Sequence, residues 1–169
     1  CTSAVSTVAI SQNTTAPLPT ASNSTTLTCT TTTAALTGGP SSGVTYQWSG
    51  PGFSGGTTSQ NAVATAAGTY TLRVTDAVNG CTATAVTTVS QNTTAPTPSA
   101  SNSTTLTCST TTATLTGTGG GNYSWSGPGI TGGAASANPT INLPGTYVLT
   151  VTAANGCTAT ANTTVSQNT

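Results

Sequence analysis

Apolar and polar residues alternate with a period of two in several short stretches of this chain. In Tyr147-Val148-Leu149-Thr150-Val151, the side chains of Tyr147, Leu149 and Val151 share one face. Tyr70, Leu72 and Val74 repeat the pattern and turn Arg73 outward. Alternation of this kind marks a half-buried strand, because successive strand side chains point to opposite faces. Asn79-Gly80 and Asn155-Gly156 follow these segments. Asn-Gly is a strong hairpin signal, since both residues tolerate positive φ, and it predicts a tight turn. The next strand, Cys157-Thr158-Ala159-Thr160-Ala161, alternates small apolar residues with Thr. Leu106 and Leu115 mark two earlier strands, and Gly-Pro-Gly at 50–52 and 127–129 ends the strands that carry Trp48 and Trp125. No stretch has helical periodicity. Many short strands separated by turn signals predict an all-β sandwich.

The pattern occurs twice. Residues 12–37 recur with few changes at 91–116, Tyr46–Gly52 matches Tyr123–Gly129, and Gly68–Thr93 matches Gly145–Thr169. The opening residues 1–13 match the end of each repeat. The expected organisation is therefore 1–11 as the last strand of a preceding repeat, 12–90 as the first full repeat and 91–169 as the second. Such a chain reads as a segment of a longer tandem array. Prolines at 17, 19, 96 and 98 favour stiff, extended joins between repeats.

Each repeat is expected to have one Cys in an early strand (Cys29, Cys108) and one just after the Asn-Gly turn (Cys81, Cys157). The expected pairing is one disulfide per domain, Cys29–Cys81 and Cys108–Cys157, closing loops of about 50 residues worth up to ~4 kcal/mol each. Cys1 is then the late cysteine of the preceding repeat, with a partner outside the sequence. A small domain with a thin core benefits most from such a bond, and bonds of this kind point to an oxidising, extracellular compartment.

Composition narrows the function. Only Arg73 and Asp76 carry formal charge, and the chain has no His, Lys, Glu or Met. General acid–base catalysis and activated nucleophiles need those residue types, so the expectation is a protein that is not an enzyme and has no cofactor or metal site. Without a basic patch, nucleic acid is not an electrostatic partner. No apolar run reaches the ~20 residues of a membrane span. Thr, the dominant residue, is β-branched and suits a pleated surface. Near-zero charge leaves solubility to hydroxyls, amides, attached glycans or fixation in an assembly.

Pro144–Cys157 (PGTYVLTVTAANGC) and Tyr123–Gly129 (YSWSGPG) resemble the PKD-like, immunoglobulin-like tandem repeats of giant bacterial cell-surface adhesins of the Bacteroidota type. The resemblance covers both repeats. It implies tandem immunoglobulin-like (PKD-like) β-sandwich domains in an exported, cell-surface protein used for adhesion or motility. It places Trp48 and Trp125 in the core and Tyr70 and Tyr147 at the tyrosine corner. The second cysteine departs from antibody-like domains, where it sits two residues after that Tyr; here Cys81 comes well after Tyr70, past the turn. The bridge is therefore expected to reach the final strand or its turn.

The remaining candidates are few. Trp48 and Trp125 are read as core rather than as sugar-stacking platforms, and Phe53 and Ile130 as the better candidates for exposed contacts. Arg73 and Asp76 are read as solvated, because Thr150 and Ala153 replace them in the second repeat. Asn13, Asn23, Asn92, Asn102, Asn122 and Asn162 begin N-x-S/T sequons and are candidate N-glycosylation sites. The expected function is a structural segment of a surface adhesin, stalk or extracellular filament. Its partners would be neighbouring repeats and other copies. The alternatives are a glycan- or surface-binding module and a non-catalytic appendage of a secreted hydrolase.

Overall fold

The computed structural model describes residues 8–168, and among them there is no helix. The chain divides into two compact units. The first holds the chain up to Leu27 together with Thr32–Ser90, and the second holds Gln91–Thr169 together with the short segment Thr28–Thr31. Residues 8–11, expected to finish a preceding strand, lie outside any strand, and 1–7 lie outside the described residues.

In the first unit the strands are β1 (Thr20–Asn23), β2 (Leu27–Thr28), β3 (Ala34–Gly39), β4 (Val44–Ser49), β5 (Phe53–Gly55), β6 (Asn61–Ala64), β7 (Gly68–Asp76) and β8 (Thr82–Val89). They form a four-stranded sheet ordered β1-β3-β6-β5 and a three-stranded sheet ordered β4-β7-β8. Taken in chain order, this is the ABED and CFG arrangement of a seven-stranded immunoglobulin-like sandwich. After β9 (Gln91–Asn92), the second unit has β10 (Ser99–Asn102), β11 (Ala113–Thr118), β12 (Asn122–Ser126), β13 (Ile130–Gly132), β14 (Thr140–Ile141), β15 (Gly145–Thr152) and β16 (Thr158–Val165). Its sheets, β10-β11-β14-β13 and β12-β15-β16, repeat the same order.

The period-two pattern sets each core. Tyr70, Leu72 and Val74 on β7 are buried against Leu36, Trp48, Ala62 and Ala64. Tyr147, Leu149 and Val151 on β15 are buried with Leu115, Trp125 and Ile141. Arg73 points out to solvent between its cross-strand neighbours Gln47 and Thr84. Leu36 and Leu72 lie on the inner faces of the two strands that antibody domains join by a cystine, so apolar packing stands where that bond would be. Among the described residues no buried side-chain nitrogen or oxygen lacks a hydrogen-bond partner.

The large aromatic side chains bury their rings and satisfy their polar tips. The indole N–H of Trp48 donates to the Ser59 carbonyl, and that of Trp125 donates to Ser136, each at 3.1 Å. The Tyr70 hydroxyl donates to the Ala66 carbonyl at 2.7 Å, four residues upstream, with the Gly52 carbonyl also in reach at 2.9 Å. The Tyr147 hydroxyl likewise donates to the Leu143 carbonyl four residues upstream, with the Pro128 carbonyl in reach, one residue before the counterpart of Gly52. These are tyrosine corners, near the start of the sixth strand of each sandwich. The Gly-Pro-Gly segments supply the space. A Cβ on Gly50 would lie 2.3 Å from Cδ1 of Tyr70, and one on Gly127 would lie 2.5 Å from the same atom of Tyr147.

Two expectations are corrected. Neither Asn79 nor Asn155 has positive φ; only Gly80 (71°) and Gly156 (78°) do, so these are not two-residue turns with both positions left-handed. In the second unit Gly156 N–H bonds to Ala153 C=O and Ala153 N–H to Cys157 C=O, a longer turn closed by one left-handed glycine. The first unit adds a residue, and Gly80 N–H reaches back to Asp76 C=O. Phe53 and Ile130 are not exposed contacts. Both are partly buried against the cores, and Phe53 meets the Tyr70 ring edge-to-face at 5.1 Å between centroids.

Burial pushes the Tyr147 phenol above its ordinary pKa, because ionising it would place a charge out of water. A raised folded-state pKa leaves this contribution intact below about pH 10 and removes it as pH rises through the folded value. Tyr147→Phe is expected to cost the second unit about 1–3 kcal/mol at neutral pH, by leaving buried carbonyls without their donor. The same change should flatten the alkaline loss of stability; urea titrations followed by Trp fluorescence at neutral and alkaline pH check both effects. Gly50→Ala should destabilise the first unit by roughly 1–3 kcal/mol through overpacking against Tyr70, read as a lower denaturation midpoint at unchanged slope.

Candidate functional site

The chemically distinctive groups of each unit collect at its two ends. The eight-residue strand β8 starts just after Cys81 and runs to Val89. Leu27 N–H bonds to Ser90 C=O at 2.9 Å, just past the finish of that strand, and Cys29 follows two residues later. Cys29 and Cys81 are thus separated by the length of β8, about 26 Å at 3.3 Å per residue. A disulfide needs Cα atoms within about 7 Å. The second unit repeats this layout. Leu106 pairs in parallel with Gln167, beyond the end of β16, while Cys157 precedes the start of that strand.

The expected pairing, Cys29–Cys81 and Cys108–Cys157, is therefore corrected, together with the expectation of one bond per domain. The structure has a disulfide between Cys29 and Cys157, with Cα atoms 5.1 Å apart and 128 residues of sequence between them. Cys81, half-buried, and Cys108, exposed, are free thiols. Repeat positions alone could not tell partners within a repeat from partners across repeats. Cys1 lies outside the described residues.

The turn beside each late cysteine holds the linker that leads into its unit. Asn155 Oδ1 accepts from Cys157 N–H at 3.0 Å, while its Nδ2 donates to the Asn92 carbonyl, Asn92 Oδ1 and the Thr94 carbonyl at 3.3, 3.0 and 2.9 Å. In the first unit Asn79 Oδ1 accepts from Cys81 N–H at 2.8 Å, and Nδ2 donates to the Thr15 carbonyl at 2.9 Å. Thr15 and Thr94 are repeat equivalents. The Asn of the Asn-Gly pair thus acts through its side-chain amide rather than through a left-handed backbone.

The early cysteines sit in matching turns. Thr28 N–H bonds to Thr31 C=O around Cys29, and Thr107 N–H to Thr110 C=O around Cys108. The Thr28 and Thr107 hydroxyls accept from the amides of Thr31 and Thr110.

The sequons separate by what their side-chain nitrogens do. Asn23 Nδ2 donates to the Thr25 and Thr88 carbonyls, and Asn102 Nδ2 donates to Thr104, so a glycan there would displace turn hydrogen bonds. Asn13 and Asn92 accept from Thr15 and Thr94 N–H through Oδ1. Asn122 and Asn162 are exposed. Asp76 caps the turn that follows β7. Its Oδ1 accepts from Val78 and Asn79 N–H at 2.8 and 3.0 Å, which holds the carboxyl below the usual carboxylate range. All Trp, Tyr and Phe side chains are at least partly buried. Among the described residues there is no cavity suited to a small molecule and no cluster of metal-ligating side chains.

Asn155→Asp keeps the Oδ1 acceptor and removes the Nδ2 donor. It should leave the turn amide of Cys157 protected while raising exchange at the amides of 93–95 several-fold, as measured by hydrogen exchange. Asn155→Ala should expose both and cost about 1–2 kcal/mol.

No protein-family model and no curated protein matches the chain. Among solved structures it is similar to the three N-terminal domains of the bacteriophage RB49 highly immunogenic outer capsid protein (18% identity, TM-score 0.46, 88% of this chain and 58% of that one). It is also similar to Sidekick-1 immunoglobulin domains 1–5 (12% identity, TM-score 0.39, 89% and 39%). A third match is the C-terminal fragment of intimin in complex with the intimin-binding domain of its translocated receptor (17% identity, TM-score 0.34, 88% and 64%). The chain thus spans between about two fifths and two thirds of the lengths of these structures.

Proposed function

We propose that this chain is a structural segment of a long, secreted, cell-surface array of PKD-like repeats, serving as a stalk, adhesin shaft or extracellular filament, with no catalytic role. The observation that carries the reading is the duplicated linker clamp. Asn79 fixes Thr15 and Asn155 fixes Asn92 and Thr94, so each unit holds its own leading linker on a set path. A binding module has no need of this; a spacer that must keep its direction does. Pro17, Pro19, Pro96 and Pro98 stiffen the same linkers. Almost no charge opposes packing of copies side by side. The partners on this reading are neighbouring repeats and other copies of the chain, in an oxidising extracellular setting that suits the disulfide.

The glycan-binding alternative is less well supported. Recognition of sugars by stacking needs an exposed aromatic face, and Trp48 and Trp125 are buried with their N–H groups bonded inside the units.

Electron microscopy of the purified, oxidised protein and of material from its source should show ordered fibres of uniform width. Single particles that bind a glycan array, with binding lost on changing a half-buried ring such as Tyr123 to Ala, would replace this reading with the module.

A further inference from the structure

We propose that the Gly80–Cys81 turn is the receiving half of a staple repeated along the array: it takes the cysteine-bearing turn of the repeat before it in the same chain, as Gly156–Cys157 takes the turn Thr28–Thr31. The inference rests on the array reading and adds the contact that joins consecutive repeats.

The second unit shows the staple closed. Thr28–Thr31, although part of the first repeat, belongs to that unit, and its Cys29 is bonded to Cys157. Thr30 lies directly over Gly156. A Cβ on Gly156 would collide with the Thr30 methyl and lie 2.9 Å from its hydroxyl oxygen. Only a residue without a side chain lets the two turns come this close. With the turn in place, Cys157 is 2% exposed.

The first unit carries the same receiving surface uncovered. Gly80 matches Gly156, and Cys81 matches Cys157. A Cβ on Gly80 would meet no described atom within 4 Å beyond its chain neighbours. Gly80 is exposed, and Cys81 is half-buried with a free thiol. What distinguishes the two sites is the turn that covers one of them. The occupant that fits the open site is therefore another turn of the same kind: threonine, cysteine, a small hydroxyl residue, threonine. Thr107–Thr110 has this sequence, with Ser109 in the place of Thr30, and closes with the same hydrogen bond from the first N–H to the last C=O.

The observed bond sets the order, since it joins an early cysteine to the late cysteine of the next repeat. Cys81 thus receives the early turn of the repeat before residues 12–90, and Thr107–Thr110 is delivered to the repeat after residues 91–169. Both joins stay within one polypeptide, where neighbouring repeats hold their cysteines at high effective concentration. Each closure is an oxidation. Two thiols lose two protons and two electrons as the S–S bond forms, and an oxidant of the disulfide class takes up both. With oxidised glutathione, one molecule is consumed and two of reduced glutathione are released for each join.

The first test measures the closing of Cys29–Cys157 in this chain against a glutathione redox buffer. Gly156→Asn supplies a residue that tolerates left-handed φ but sets a Cβ against Thr30, and should lower the closing constant about tenfold. Thr30→Gly in the same chain removes the obstruction and should restore the constant to within about threefold. No loss, or a loss without rescue, would show that the turn contact does not steer the bond and would overturn the proposal. The second test maps disulfide-linked peptides of the full-length protein from its source, digested without reduction. The expected links join Cys81 to an early-turn cysteine one repeat N-terminal and Cys108 to a late-turn cysteine one repeat C-terminal. In denaturant without reductant, the protein should run at the mass of a single chain. Free thiols at Cys81 and Cys108, links within one repeat or links between chains would overturn the staple and leave the array reading standing. A parent chain with no further repeats of this kind would remove the array reading and this inference with it.

Discussion

The length of one strand governs how this chain can use its cysteines. The final strand of each sandwich runs for eight residues, with the late cysteine before its start and the early cysteine past its end. A cystine cannot span that distance. No repeat can therefore join its own two cysteines, and the second unit is closed by a cysteine drawn from the first repeat. That Cys29–Cys157 disulfide spans 128 residues of sequence. By loop-closure reckoning, a constraint on so long a stretch of unfolded chain is worth about 5 kcal/mol.

With no cystine in either apolar cluster, each core depends on packing. The tyrosine corners, the buried tryptophans and the inner faces of the strands carry that load. Leu36 and Leu72 occupy the inner faces where antibody domains place their cystine. The fit is close enough that Gly50 and Gly127 leave no room for a Cβ beside the tyrosine rings. The cysteines among the described residues lie outside both apolar clusters, and of them Cys157 is buried. The Asn-Gly turns complete the arrangement, because one amide side chain both orders the backbone ahead of the late cysteine and holds the incoming linker.

The all-β class, the strands 70–74 and 147–151, the inward faces of Tyr, Leu and Val and the burial of both Trp residues were legible from periodicity and from the demand of a small domain for every large apolar group. The duplication was legible by comparing the halves of the chain. The placement of Phe53 and Ile130 was not, since a residue after a turn carries no period of its own. The hydrogen bonds made by the amide nitrogens of Asn23 and Asn102 were not legible either, since they close turns that follow no period.

The amino-acid sequence by itself determined the internal duplication, the faces of the strands and the scarcity of charged side chains, because these follow from composition and local alternation. Only the tertiary structure decided which cysteines can meet, which nitrogen of an Asn is engaged and which turn type joins the last two strands. Those are matters of distance between residues far apart in sequence, or of a backbone angle that two neighbouring residues could share in more than one way.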